Sequence, residues 1–193
     1  MGLGNILFGR KKLKEAAEER LFAIATARIT LEAELGLKPA GVAGVCFKSL
    51  SAGEFVRAEN ELQQLLDSVG VESASRVERK SDEFGFDWLV VRDGDFESLV
   101  ATVHRIASEL ESRGFGPQLL AALFKFEGGG FDGDKRVYWI YGFKRGAFWP
   151  FVPTGEDKER DNAEELELKA KLEKELPIES DLTRWFGIFD APF

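Results

Sequence analysis

His104 and Cys46 are the only histidine and the only cysteine of the chain, so most side-chain chemistry would have to pass through one or the other. Nucleophilic catalysis of the Ser-His-Asp or Cys-His kind needs an imidazole within hydrogen-bond reach of the nucleophile. His104 stands beside the apolar stripe of a helical segment, far in sequence from Cys46, and neither neighbourhood carries a nucleophile motif. It reads as a partly exposed helix histidine. Cys46 lies within the apolar run 42–47 and reads as a small buried hydrophobe. A zinc site draws on more nitrogen and sulfur ligands than these two residues supply, and a lone cysteine excludes an intrachain disulfide.

Two further patterns invite chemistry. Gly128-Gly129-Gly130-Phe131-Asp132-Gly133-Asp134 has the composition of a phosphate or calcium loop. A phosphate loop opens into a helix whose amides hold the anion, whereas this one leads into a strand. A calcium loop closes on a bidentate acid, and here Lys135-Arg136 follows. The pattern fits a strand-to-strand loop. Residues 156–179 are strongly acidic, and a hydrolase could pair carboxylates for acid–base work around Asp161 and Glu164. The interspersed lysines instead describe the solvated face of a helix capped by Asp161-Asn162. No catalytic residue, metal ligand or cofactor is assigned, and a non-enzymatic protein is expected.

Function is then sought on surfaces. A net charge of -8 argues against a nucleic-acid partner, which would require a basic face. The first fourteen residues run against that balance: Leu3, Ile6, Leu7 and Phe8 precede Arg10, Lys11, Lys12 and Lys14, with no acid among them. Helical spacing would set an apolar face beside a basic end, which suits an anionic membrane surface or a partner protein. The apolar-before-basic order reverses that of a secretory signal, and Ile6 stands where the myristoylation pattern needs Ser or Thr. No apolar stretch is long enough to span a bilayer. A cytoplasmic protein, peripheral at the inner face of the membrane, fits these features. Residues 1–14 form the amphipathic basic segment and residues 15–193 a single α+β domain.

The elements that must position any such surface follow from periodicity. Ser51-Ala52-Gly53-Glu54 is a capping box, and Phe55, Ala58, Leu62, Leu65, Leu66 and Val69 recur behind it at helical spacing until Gly70. A second helix starts near Asp95, carries Phe96, Leu99, Val100, Val103, Ile106, Ala107 and Leu110 on one stripe, and stops at Gly114. Between and around them lie strands at 42–47, 73–80, 86–91 and 120–126. The second is polar, as an edge strand should be, and the third is almost continuously apolar, as a central one should be. The resulting order is the βαββαβ, ferredoxin-like pattern over about 42–126. A helix at 15–27 precedes it, and 29–35 reads as either a strand or a helical extension. A hairpin of 137–143 and 147–152 extends the sheet beside the fourth core strand, with Pro150 restricting its second strand to an edge. A charged helix over 156–176 ends the pattern. Glu165 with Lys169 and Glu167 with Lys171 are spaced there for ion pairs, and Leu168, Leu172 and Leu176 form a narrow apolar face.

The hairpin carries aromatics on both faces, among them Tyr138, Tyr141, Phe148, Trp149 and Phe151. One set must face the core. The surplus is either exposed as a partner surface or covered by the C-terminal helix and Trp185-Phe186.

Several segments taken in order resemble a known family. They are Met1-Gly2 with Leu7-Phe8-Gly9-Arg10, then Thr30-Leu31-Glu32-Ala33 through Gly44-Val45-Cys46-Phe47, and Phe86-Asp87-Trp88-Leu89-Val90-Val91-Arg92. Gly114-Phe115-Gly116-Pro117, Lys144-Arg145-Gly146-Ala147-Phe148-Trp149-Pro150-Phe151, Arg160-Asp161-Asn162 and Leu182-Thr183-Arg184-Trp185-Phe186 continue the series. Together they resemble the PspA-associated protein PspAB family over essentially the whole chain. The resemblance implies a cytoplasmic accessory protein of the phage-shock, envelope-stress response, linked to PspA or other proteins of that response, with no catalytic residues to carry over. A small-molecule sensor domain is the alternative, by analogy with other ferredoxin-like sheets.

Overall fold

In the computed structural model, the described residues are 19–48, 64, 75–128, 135–155 and 158–193. The N-terminal residues Leu3, Ile6, Leu7, Phe8, Arg10, Lys11, Lys12 and Lys14 lie outside them. So does the helix expected at 51–70, apart from Gln64, which is helical and exposed. The described residues form three α-helices and one six-stranded antiparallel sheet, an α+β architecture.

A 3-10 turn at Arg20–Phe22 runs into helix α1 (Ala23–Leu35), so the open alternative for 29–35 resolves as a helical extension. Gly36 ends α1 in the left-handed conformation (φ 65°), its amide returning to the Leu31 and Glu32 carbonyls. Strand β1 (Leu37–Lys48) follows at once and is longer than the run 42–47 foretold. Its extra residues include Pro39, which pairs with the fourth strand in a stretch that the third strand does not reach. The absent proline N–H therefore faces no ladder partner.

The remaining strands are β2 (Arg76–Ser81), β3 (Phe86–Arg92), β4 (Leu119–Gly128), β5 (Arg136–Gly142) and β6 (Ala147–Phe151), ordered β2-β3-β1-β4-β5-β6. Polar β2 is an edge strand, apolar β3 is interior, and β6 with Pro150 forms the other edge, all as the sequence predicts. Helix α2 (Phe96–Leu110) begins at Asp95, whose side chain accepts the Ser98 amide at 2.8 Å. That hydrogen bond holds the Asp95 carboxyl below its ordinary value. All seven residues of the predicted stripe are buried, and Gly114 (φ 92°) breaks the helix.

Alternation along the strands divides the core in two. Val45, Phe47, Leu89, Val91, Phe124, Trp139 and Phe148 join one cluster with α1, α2 and the leucines of helix α3 (Asn162–Leu172). Cys46, Trp88, Val90, Leu123, Ile140, Trp149 and Phe151 face the other way and pack under Trp185, Ile188, Phe189 and Phe193. No layer of helices covers this second face among the described residues. Its cover is an extended C-terminal strap, residues 177–193.

The strap is tied down by backbone and side chain alike. The Phe148 amide donates to the Pro177 carbonyl at 2.8 Å, and the Glu179 amide returns to the Phe148 carbonyl at 2.9 Å. Trp185 Nε1 donates to the Glu179 carbonyl and Trp149 Nε1 to the Phe186 carbonyl, each at 2.9 Å. At the far end the Phe193 ring rests on Gly44, where a Cβ would come within 2.5 Å of it, and meets Trp88 edge-on.

One partly buried ion pair locks β6, α3 and the strap together. Glu165 is 2% exposed and takes three hydrogen bonds from Arg160, at 2.7 to 3.0 Å, plus the Val152 amide at 2.9 Å. Arg160 Nη1 also donates to the Trp185 carbonyl at 2.7 Å. The predicted Glu165–Lys169 and Glu167–Lys171 pairs are corrected here: Lys169 pairs with Glu173 and Lys171 with Glu34. A fixed guanidinium and an amide at the end of β6 hold Glu165 inside, out of reach of the solvated lysine. Leu168, Leu172 and Leu176 are buried, and Asp161 caps α3 by accepting the Glu164 amide, as expected.

Two stability predictions follow from these contacts. Removing one member of a buried pair leaves the other charge uncompensated, so Arg160→Met should lower unfolding free energy by about 3–5 kcal/mol in urea titrations. Lys169→Met, at an exposed pair, should change it by less than about 1 kcal/mol. The second concerns His104, half-buried against Phe22 with ring centroids 4.7 Å apart. Desolvation holds its pKa below the ordinary 6.5, with Glu19 opposing. The unfolded chain therefore takes up the proton more readily. This contribution is complete above pH 6.5 and lost as pH falls through the folded-state value. Thermal melts should decline over that window, and His104→Gln should remove that part of the decline.

Candidate functional site

The second face of the sheet is not fully covered. At one end the strap stands away from it and leaves a half-open cavity of about 860 Å³. Its floor comes from cross-strand register: Trp88 pairs with Cys46, Cys46 with Ala121 and Ala121 with Gly142. Two small side chains and a glycine in a row across β1, β4 and β5 make a trough, and Trp88 stands as its wall on the β3 side. Gly142 is required here because Trp149 lies over it, and a Cβ would come within 2.9 Å of that ring.

Phe84 and Phe86 close one side of the trough, and strap residues 186–190 close the other. Phe84 and Phe186 are 54% and 66% exposed, so the mouth itself is apolar. The tight turn that presents Phe84 is built by Asp82, whose carboxylate accepts the Phe84 and Phe86 amides and Trp88 Nε1, all at 2.9 Å. One aspartate thus positions the turn and the wall together.

Charge is concentrated at the rim. Lys48, Lys144, Arg145, Lys158 and Arg184 line the cavity, against Asp190 as the only acid among its described lining residues. Arg145 pairs with Glu179 at 3.5 Å, Arg184 with Asp181 at 2.8 Å and Lys158 with Asp190 at 3.0 Å. Lys158 also stands 4.9 Å from the centroid of the Phe84 ring. Lys48 and Lys144 are exposed and have no ion-pair partner among the described residues. They continue β1 and β5 beyond the register pairs Phe47–Leu119 and Gly142–Ala121, which sets both at the same end of the sheet.

Cys46 sits in the floor, 4% exposed, and burial pushes its thiol up to about 12, with Asp82 and Asp87 adding to the shift. It is an apolar floor residue, as the sequence predicts, and a poor nucleophile. Of the five hairpin aromatics, Tyr141 and Phe148 enter the helix-side core, while Tyr138 and Phe151 lie under the strap. All five are buried, and only Trp149 reaches the cavity. Asp161 and Glu164 stand apart from the cavity, the first as a helix cap and the second paired with Lys135. Among the described residues no three His, Cys, Asp or Glu side chains group to hold a metal ion.

Sequence reasoning missed the rim, because Lys48, Lys144 and Lys158 lie in separate segments and converge only through strand order. It also missed the floor. A row of small residues on neighbouring strands leaves no periodic signal in one segment, although Cys46 and Ala121 each interrupt a run of larger apolar residues.

Fold and cavity together define an α+β protein whose sheet carries one helix-covered face and one strap-covered face with a ligand-sized, cation-rimmed pocket. The chain belongs to the PspA associated protein B (PspAB) family, whose model matches residues 1–193, and the name records an association with PspA. No curated protein and no solved structure matches it. No helix among the described residues is long and apolar enough to cross a membrane.

The floor placement of Cys46 is open to a direct check. With a thiol pKa near 12 in place of 9.0, its alkylation by iodoacetamide at mildly basic pH should run roughly a thousandfold slower than that of an unstructured cysteine. Denaturant should restore the ordinary rate. Fast alkylation of the folded protein would contradict this burial.

Proposed function

We propose that this protein is a non-enzymatic accessory of a PspA-type envelope-stress response, acting through protein contacts and peripheral contact with the membrane. The whole-chain match to a family named for its association with PspA carries this reading. The sequence of residues 1–14 supports the route of contact. Leu3, Ile6, Leu7 and Phe8 supply apolar side chains, and Arg10, Lys11, Lys12 and Lys14 supply charge suited to anionic lipid or an acidic partner surface. One short segment of this kind binds weakly and reversibly, as suits a regulator that must leave the membrane again.

A second reading, a small-molecule sensor, is favoured by one specific observation, the cavity of about 860 Å³ with its cationic rim. Ligand pockets commonly enclose about 300–1,000 Å³. The two readings are compatible, because they draw on different residues of the chain.

The contact reading is tested with full-length proteins. Wild type should bind purified PspA and anionic vesicles, and the variant Leu7→Asp/Phe8→Asp/Lys11→Glu/Lys12→Glu should bind at least about tenfold more weakly. Equal binding by the two proteins would remove the role of residues 1–14. A failure of wild type to bind PspA at all would remove direct association.

A further inference from the structure

We infer that the strap-walled cavity is a binding site for a single-chain amphiphile with an anionic head, of the class of fatty acids. This rests on the sensor reading of the same cavity, to which it gives a ligand class, and does not rest on the PspA-linked reading.

The cavity has two chemically distinct parts. Its interior presents Cys46, Trp88, Ala121 and Trp149 from the sheet, with Phe86 and Ile188 beside them. None carries a charge, so the interior rewards the transfer of a hydrocarbon tail from water at about 25 cal/mol per Å² of apolar surface buried. Among the described residues that line it, the rim carries five cations against one acid, in a chain whose overall charge is -8. Three of those cations already have carboxylate partners. Lys48 and Lys144 have none among the described residues and stand at the same end of the sheet. Cations at the lip of a low-dielectric cleft focus a positive field there. A molecule that satisfies both parts has an apolar tail and a negative head.

Charge also decides against the other occupants. The chain's own residues 1–14 have apolar side chains, but they carry four cations and no acid, so the rim opposes them. An acidic amphipathic helix matches the charge. A helix with its side chains is about 10–12 Å across, so roughly two turns would exhaust this volume, whereas an acyl chain is thin enough to extend along the trough. A bilayer lipid would have to leave the membrane to fill a cavity walled by Phe84 and Phe186.

The test uses the intact chain and three probes that share one tail: laurate, dodecanol and dodecyltrimethylammonium, each below its micelle concentration. Binding is read by calorimetry and by tryptophan fluorescence, since Trp88 and Trp149 line the cavity. Laurate should bind saturably at one site per chain, about tenfold more tightly than dodecanol, and the cationic probe should not bind. Lys48→Glu/Lys144→Glu, at two exposed positions, should weaken laurate about tenfold and leave dodecanol unchanged. Ala121→Phe, which fills the trough, should weaken both at least tenfold while the unfolding transition persists. Absence of saturable laurate binding would overturn the inference, as would a preference for the cationic probe or indifference to both variants. Binding to anionic vesicles or to an acidic peptide, without binding to laurate, would also overturn it and assign the rim to a macromolecular partner.

Discussion

A sheet that is apolar on both faces must be covered on both faces, and that constraint organises this protein. Residues that alternate along β1, β3, β4 and β5 send large hydrophobic side chains in each direction, so neither face can be left to water. Helices α1, α2 and α3 serve one side in the ordinary way, with an apolar stripe laid on the strands. The other side is closed by a strap that has little secondary structure of its own. An extended segment has few internal hydrogen bonds, and its backbone groups need partners elsewhere. They find them in β6, Arg160 and the two indoles, Trp149 and Trp185. Packing and hydrogen bonding are thus one requirement here.

The partly buried Arg160–Glu165 pair is best understood in those terms. Burying two charges is costly, and a well-packed apolar pair would often serve stability as well. Arg160 does something an apolar residue could not. It reaches Glu165 on α3 and the Trp185 carbonyl on the strap at once, while Glu165 reaches the Val152 amide just past β6. Three segments that share no regular ladder are thereby fixed in one relative position. The interaction specifies where the strap runs, and so where the cavity is left.

Regular elements were legible in the sequence wherever local pattern and tertiary role coincide. The stripe of α2, its start near Asp95, the stop at Gly114, polar β2 at an edge and Pro150 in an edge strand all follow from such coincidences. The pairing of Glu165 with Lys169 failed because helical spacing records which residues are near and says nothing of burial; Arg160, five residues away and off the helix, took the carboxylate. The strap was legible only through Trp185-Phe186, since residues 177–193 have no periodicity to betray a cover. The surplus of hairpin aromatics was the visible half of that missing layer. Most of the site was illegible for a related reason: its floor is a row across strands and its rim joins distant loops, so its signal exists only after the sheet has formed.

The strap also makes cavity and core interdependent. Residues 186–190 wall the cavity, and Phe189 packs edge-on against Phe151 in the same cluster that buries Trp149. Whatever occupies the cavity therefore touches strap and sheet together. A molecule that binds only this closed arrangement stabilises it by RT ln(1 + [L]/Kd), and the strap in turn contributes to the affinity. Gly187 sharpens the coupling, because a Cβ there would come within 2.9 Å of both Phe151 and Phe189. The strap fits at that point only by coming as close as a backbone without a side chain allows. An element so closely seated at Gly187, yet lifted from the sheet over Cys46 and Ala121, holds the cavity open by its own course. The opening is a product of the same packing that completes the core.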